Sequence, residues 1–167
     1  VMDAVAHLPE TVQSQVLQKA LIDECLKQQT WAYYRMAARL YIPYLRKQLY
    51  NDEIPTVQSL QKDMAAAGLM RELQYTDAEY EQIEKYIRHQ RDFNYAYFQI
   101  KTILEKYSLR DRRIGGDRRY WELPQFVYMR MAMALAEDEP ADVRLVHLKK
   151  WYDHLSLNRI NAPSPNF

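Results

Sequence analysis

The chain has 167 residues, 48% apolar and 27% charged, with a net charge of +1, which suits one folded domain, or one with an appendage, rather than a disordered chain. That balance offers no overall field for nucleic acid or an anionic membrane, and a single cysteine, Cys25, excludes an intrachain disulfide or a thiolate metal cluster. No apolar run approaches the ~18 residues of a membrane span and the start has no signal-like pattern, so a cytoplasmic protein is expected.

Helical periodicity then runs through most of the sequence. From a cap at Thr11, Val12, Val16, Leu17, Ala20, Leu21 and Cys25 recur at intervals of three and four and predict one buried stripe. Thr30 caps the next expected helix, whose stripe is Trp31, Tyr34, Ala37, Ala38, Tyr41, Leu45 and Leu49. Pro43 lies inside that stripe and cannot donate to Arg39, which predicts a kink or a break. Pro55-Thr56 opens a short helix that Gly68 closes. Thr76-Asp77-Ala78-Glu79 reads as a capping box for a helix reaching about Arg88, and Asp92 restarts a helix for Phe93, Tyr97, Ile100 and Leu104.

One non-helical element is expected, a small β-hairpin near 107–121 with Gly115-Gly116 at its turn. Pro124 then starts a helix carrying Phe126, Val127, Met129, Met131, Ala132 and Met133. Pro140 starts the last, with Val143, Val146, His147, Trp151 and Leu155. The expected fold is therefore mainly α, a multi-helix assembly with one hairpin.

Few residues suggest chemistry. The hairpin segment 110–119 carries five arginines and two aspartates, a basic tip that could hold phosphate or RNA but more often is a solvated edge. It has no Gly-x-x-x-x-Gly-Lys pattern in a strand-loop-helix setting, so a nucleotide-phosphate loop is excluded. His7, His89, His147 and His154 are scattered without carboxylates at ligand spacing, so no metal is expected. Cys25 lies on an apolar stripe and reads as a buried structural thiol. No nucleophile, base and orienting group occur together, so no catalytic residue is assigned. The last residues are different: Pro163-Ser164-Pro165 fixes the backbone on both sides of one hydroxyl and reads as the front of something larger.

Four motifs in order resemble the N-terminal region of the large (α) subunit of class I ribonucleotide reductases. They are Ala37-Ala38-Arg39-Leu40-Tyr41-Ile42-Pro43-Tyr44-Leu45-Arg46-Lys47, Arg91-Asp92-Phe93-Asn94-Tyr95-Ala96-Tyr97-Phe98, Glu122-Leu123-Pro124-Gln125-Phe126-Val127-Tyr128-Met129-Arg130 and Ala162-Pro163-Ser164-Pro165. The resemblance implies that 1–51 is a partial ATP-cone-like region and 52–167 the all-α domain, ending before the ten-stranded α/β barrel. It gives Ser164 the role of contacting the substrate ribonucleoside diphosphate, and it places the thiyl-radical cysteine and the reducing pair beyond Phe167. It also puts Thr11 and Lys47 on effector positions for ATP or dATP. Gln15 and Pro43 stand where the family has a histidine and an aromatic, and the opening hairpin has no counterpart, so weak or absent effector binding is expected. The implied partners are the remainder of the large subunit, in the same or a separate polypeptide, and a radical-generating small (β) subunit. A dithiol reductant is implied too; the segment itself holds no cofactor and is inactive alone. The competing reading is a self-standing helical interaction module, binding RNA through 110–119.

Overall fold

The computed structural model describes residues 13–111 and 119–160. Among them are seven α-helices and one 3₁₀ turn: α1 (Ser14–Lys27), α2 (Trp31–Tyr50), α3 (Val57–Ala66), α4 (Asp77–Tyr86), the 3₁₀ turn His89–Asn94, α5 (Tyr97–Tyr107), α6 (Pro124–Ala136) and α7 (Ala141–Ser156). The mainly α reading holds. The chain forms two compact units, one from Val1–Ile54 with Asp92–Thr102, the other from Pro55–Arg91 with Ile103–Phe167, each through its described residues.

In the first unit α1 and α2 pair as a helical hairpin. Ile22 and Cys25 of α1 and Ala37, Ala38, Tyr41, Ile42 and Leu45 of α2 are buried, and Tyr95, Ala96 and Ile100 complete that core. The expected cap at Thr11 lies outside the described residues; α1 begins at Ser14 after Gln13, which makes no side-chain cap bond. Thr30 does hold the N-cap position of α2, although its hydroxyl caps nothing. The break expected at Pro43 does not occur, because α2 runs through it for 20 residues, with buried Tyr41, Ile42 and Leu45 clasping the helix on either side. Its end is made by Asn51 in the left-handed region (φ 52°) with bonds from Asn51 N to Lys47 O (3.1 Å) and Asp52 N to Arg46 O (3.4 Å). Asp92 does not open a helix. It is fully buried inside the 3₁₀ turn, 3.9 Å from the Arg46 guanidinium, and α5 starts only at Tyr97.

The second unit is organised on α6, whose apolar residues face inward on every side: from Pro124 to Ala136 only Arg130, Ala134 and Leu135 are not buried. Here the local signals are obeyed. Thr56 accepts from Ser59 N (3.1 Å) at the start of α3, and Gly68 at φ 69° ends it, with Leu69 N bonding Met64 O at 3.0 Å. Both halves of the Thr76–Glu79 capping box form. The segment before α4 is fastened to the end of α6: Tyr75 Oη donates to Met133 O (2.7 Å), Gln74 N donates to Glu137 Oε1 (2.7 Å), and Arg71 pairs with the same carboxylate. On α7 the buried face is Leu148, Tyr152 and Leu155, so the expected stripe is turned, leaving Val146 and Trp151 exposed.

The β-hairpin expected near 107–121 is not formed among the described residues. They contain no strand, only an isolated antiparallel bridge between Arg110 and Tyr120, with Asp111 N to Arg119 O at 3.2 Å and Trp121 N to Leu109 O at 3.1 Å. Two short charged stretches offer no alternating apolar face to bury, so pairing does not propagate into strands. The tip, 112–118, lies outside the described residues.

Candidate functional site

The base of the arginine-rich segment is a polar hub rather than a sheet. Glu122, fully buried, accepts from Leu109 N (2.9 Å) and from Arg130 Nε (2.7 Å) and Nη2 (3.1 Å), while Arg130 Nη2 also donates to Tyr107 O (2.7 Å). Ser108 Oγ donates to Glu122 O (3.2 Å). Arg110 lies over the Tyr120 ring at 5.2 Å. The Arg130–Glu122 pair closes the base of the loop.

In the first unit, Lys47 is the one effector candidate within the described residues. Its Nζ donates to Ser14 Oγ at 3.0 Å, which brings the ammonium to the first residue of α1, three positions after Thr11. Thr11 itself lies outside the described residues. Between α1 and α2 runs a cleft of about 450 Å³ lined by Leu21, Cys25, Tyr33, Met36 and Leu40, with Glu24 on its wall paired to Lys27 at 2.8 Å. Burial, then the Glu24 charge, push the Cys25 thiol above its ordinary value, so it is an inert structural sulfur as expected.

Ser164 also lies outside the described residues; the last described helix before it in the chain is α7. The last turns of α7 are held from the side by Arg91, whose Nη1 meets Asp153 Oδ1 at 2.8 Å and donates to Ser156 Oγ, with its guanidinium 5.3 Å from the Tyr152 ring centre. Tyr152 is fully buried; its hydroxyl accepts from Arg88 N (2.8 Å) and donates to Gln125 Oε1 (2.7 Å). Burial alone would raise Asp153, yet Lys149 and Arg91 hold its carboxyl below the usual range. Beyond Ser156 the chain stays tied to the helix end, with Arg159 N bonding His154 O at 2.9 Å. Sequence reasoning named Ser164 and did not reveal the hold of Arg91 on α7. Arg91 and Asp153 stand far apart along the chain, and no local periodicity reveals such a contact.

Among the described residues no group of three or more His, Cys, Asp or Glu could hold a metal, and no helix is long and apolar enough to cross a membrane.

Comparison with known proteins fits these features. A family model, the ribonucleotide reductase all-alpha domain, matches residues 93–167. The chain is 32% identical over 139 residues to the ribonucleoside-diphosphate reductase 1 subunit alpha of Escherichia coli (strain K12), covering 80% of this chain and 18% of that protein. It is 33% identical over 137 residues to the subunit alpha of Enterobacteria phage T4, with the same coverage. For the subunit alpha of Buchnera aphidicola subsp. Schizaphis graminum the identity is 32% over 146 residues, covering 85% and 19%. The chain thus spans about a fifth of the length of the curated relatives it matches.

Proposed function

We propose that the chain belongs to the ribonucleotide reductase large-subunit family and serves as the N-terminal part of a ribonucleoside-diphosphate reductase, the enzyme that makes deoxyribonucleotides for DNA synthesis. The observation that carries this reading is the match of 93–167 to the all-alpha domain together with 32% to 33% identity to three alpha subunits across most of the chain. In this reading 1–51 is the cone-like region and 52–167 the all-α domain, which hands the chain to a catalytic barrel through Pro163-Ser164-Pro165. The barrel carries the radical cysteine and the reducing pair; Cys25, buried and raised, takes no part. One thiol cannot be both a radical and a reducing pair, so the chain alone turns over no substrate. The small subunit, a dithiol reductant and a cytoplasmic setting come with the reading.

Ser164 contacts the substrate. A hydroxyl held between two prolines loses little freedom on binding and donates to a phosphate oxygen, a charge-assisted bond worth ~1.5–3 kcal/mol. Ser164→Ala in the complete large subunit, assayed with its small subunit, is expected to lower kcat/KM for a ribonucleoside diphosphate roughly tenfold to a hundredfold at an unchanged melting temperature. Wild-type kinetics would leave the segment only a connecting role. For Thr11 and Lys47, the 3.0 Å bond from Lys47 to Ser14 places the ammonium alone at the start of α1. Two contacts of ~1–3 kcal/mol scarcely exceed an association cost of at least ~4 kcal/mol, so dATP binding is weak.

A further inference from the structure

We infer that the cleft between α1 and α2 binds a small aromatic amine, a flat ring carrying a protonated amino group on a short arm. Such a site is independent of the reductase assignment. Its origin lies in the faces of the two helices. α1 buries Ile22 and Cys25, yet its apolar stripe also holds Val16, Leu17, Ala20 and Leu21, and these are not buried. On α2, Tyr33, Met36 and Leu40 recur at intervals of three and four and share one face, which lines the cleft opposite Leu21 and Cys25. The hollow they leave is about 450 Å³, and small-molecule sites run from ~300 to ~1,000 Å³. A partner helix would need a groove open along both helices. Here Lys47, seven residues beyond Leu40 on the same face of α2, bonds Ser14 at 3.0 Å and ties their far ends together.

Two wall residues decide the chemistry of the ligand. Among the described residues that line the cleft, Glu24 is the one charged group. Its hydrogen bond with Lys27 holds the carboxyl below the usual range, so it is an anion at neutral pH. The Glu24 side chain is 21% exposed and that of Lys27 70%, so the lysine can withdraw into water without giving up a packed position. From α2, the Tyr33 ring supplies the π-surface that attracts a cation. A carboxylate on one helix and an aromatic ring on the other recognise an alkylammonium. Between them the lining is apolar and carries two polarizable sulfurs, Cys25 and Met36, which pack well against aromatic edges. That floor suits a flat ring and rejects a sugar or a polyol, while the Glu24 charge rejects a carboxylate or phosphate.

The test is a calorimetric titration of the 167-residue chain with three probes that share an indole ring and a short arm: tryptamine, tryptophol and 3-indolepropionic acid. Tryptamine is expected to bind about tenfold more tightly than tryptophol, with 3-indolepropionate weaker still. Glu24→Gln should remove the preference for the amine and leave tryptophol as in the wild type. Met36→Trp puts a large ring into the hollow and should weaken all three probes about tenfold or more. Met36 is 47% exposed and Glu24 is at the wall, so unchanged melting temperatures are expected for both variants. Should Met36→Trp fail to fold, Tyr33→Leu carries the test from α2 and is expected to weaken tryptamine about threefold. Equal binding of the three probes, or a preference for tryptamine that survives Glu24→Gln, overturns the inference. So does unchanged tryptamine affinity in Tyr33→Leu, or no saturable binding below ~10 mM. A concentration-dependent dimer in sedimentation that Met36→Trp disrupts would give the cleft to a second copy of the chain and overturn it as well.

Discussion

At the residue scale the most consequential group is the fully buried Glu122, because its neighbours leave it no alternative partner of comparable strength. The Arg130 guanidinium meets it through two nitrogens, at 2.7 and 3.1 Å, and carries the Tyr107 carbonyl as well. Removing one member of such a pair strands the other in low dielectric, at a cost of about 3–5 kcal/mol. Arg130→Met should therefore lower the unfolding free energy of the chain by roughly 3 kcal/mol or more in urea titration. A loss below about 1 kcal/mol would mean that water reaches Glu122 once the arginine is gone. Gln61 shows the neutral counterpart: it is buried at 5% exposure, with Tyr80 Oη donating to its Oε1 (3.0 Å) and its own Nε2 donating to Met133 Sδ (3.0 Å). Both ends of its amide are engaged, so a polar residue sits in the core without an orphaned group.

At the scale of elements, α2 sets intrinsic preference against packing. Pro43 deletes the bond to Arg39 O, yet the helix continues because the residues around the ring are buried. Pro43→Ala should restore that bond and stabilise the chain by ~1–3 kcal/mol, read as a higher melting temperature. A lower one would show that the ring's contacts and its stiffening of the unfolded chain outweigh the missing bond. The same contrast explains what the sequence made legible. Thr56, Gly68, the Thr76–Glu79 box, Pro124 and Pro140 act through neighbours three or four positions away, and each marks the boundary it was read to mark. Asp92 failed as a helix start, and the hairpin expected near 107–121 is not formed among the described residues. In both places distant partners decide: Arg46 for Asp92, and Arg130 with Ser108 for the loop base. The rotated face of α7 has the same origin, since Tyr152 is drawn inward by Gln125 and the Arg88 amide. Of the site residues, Lys47 was found in a polar setting, while the Arg91 clamp on α7 left no trace in local spacing.

For the whole molecule, the acid response follows from its depressed carboxyls, which among the described residues are Glu24, Glu79, Glu137 and Asp153. Glu137 lies below its ordinary range chiefly through the Arg71 hydrogen bonds, against burial and with help from Gln74 N–H. Burial would raise Glu79 and Asp153, but Thr76 and Arg144 at the first, and Lys149 and Arg91 at the second, outweigh it. A carboxyl depressed on folding contributes stability that is complete above its unfolded pKa and lost as pH falls through the folded one. The urea midpoint should thus stay level from about pH 8 to about pH 5 and fall progressively below about pH 4. A midpoint that rises on acidification through that window would contradict the assignment of these groups as stabilising anions.

The division of the chain into units carries a consequence for its synthesis. The first unit draws on Val1–Ile54 and then on Asp92–Thr102, with the stretch from Pro55 to Arg91 given to the other. On the ribosome, α1 and α2 emerge early but lack Tyr95, Ala96 and Ile100, which close their core. At ~5–20 residues per second, roughly fifty further residues take several seconds, during which the faces of Ile42 and Leu45 stay uncovered. Helices α1 and α2 are therefore made well before the residues that close their core, and the interval is a natural window for chaperone capture of the nascent chain.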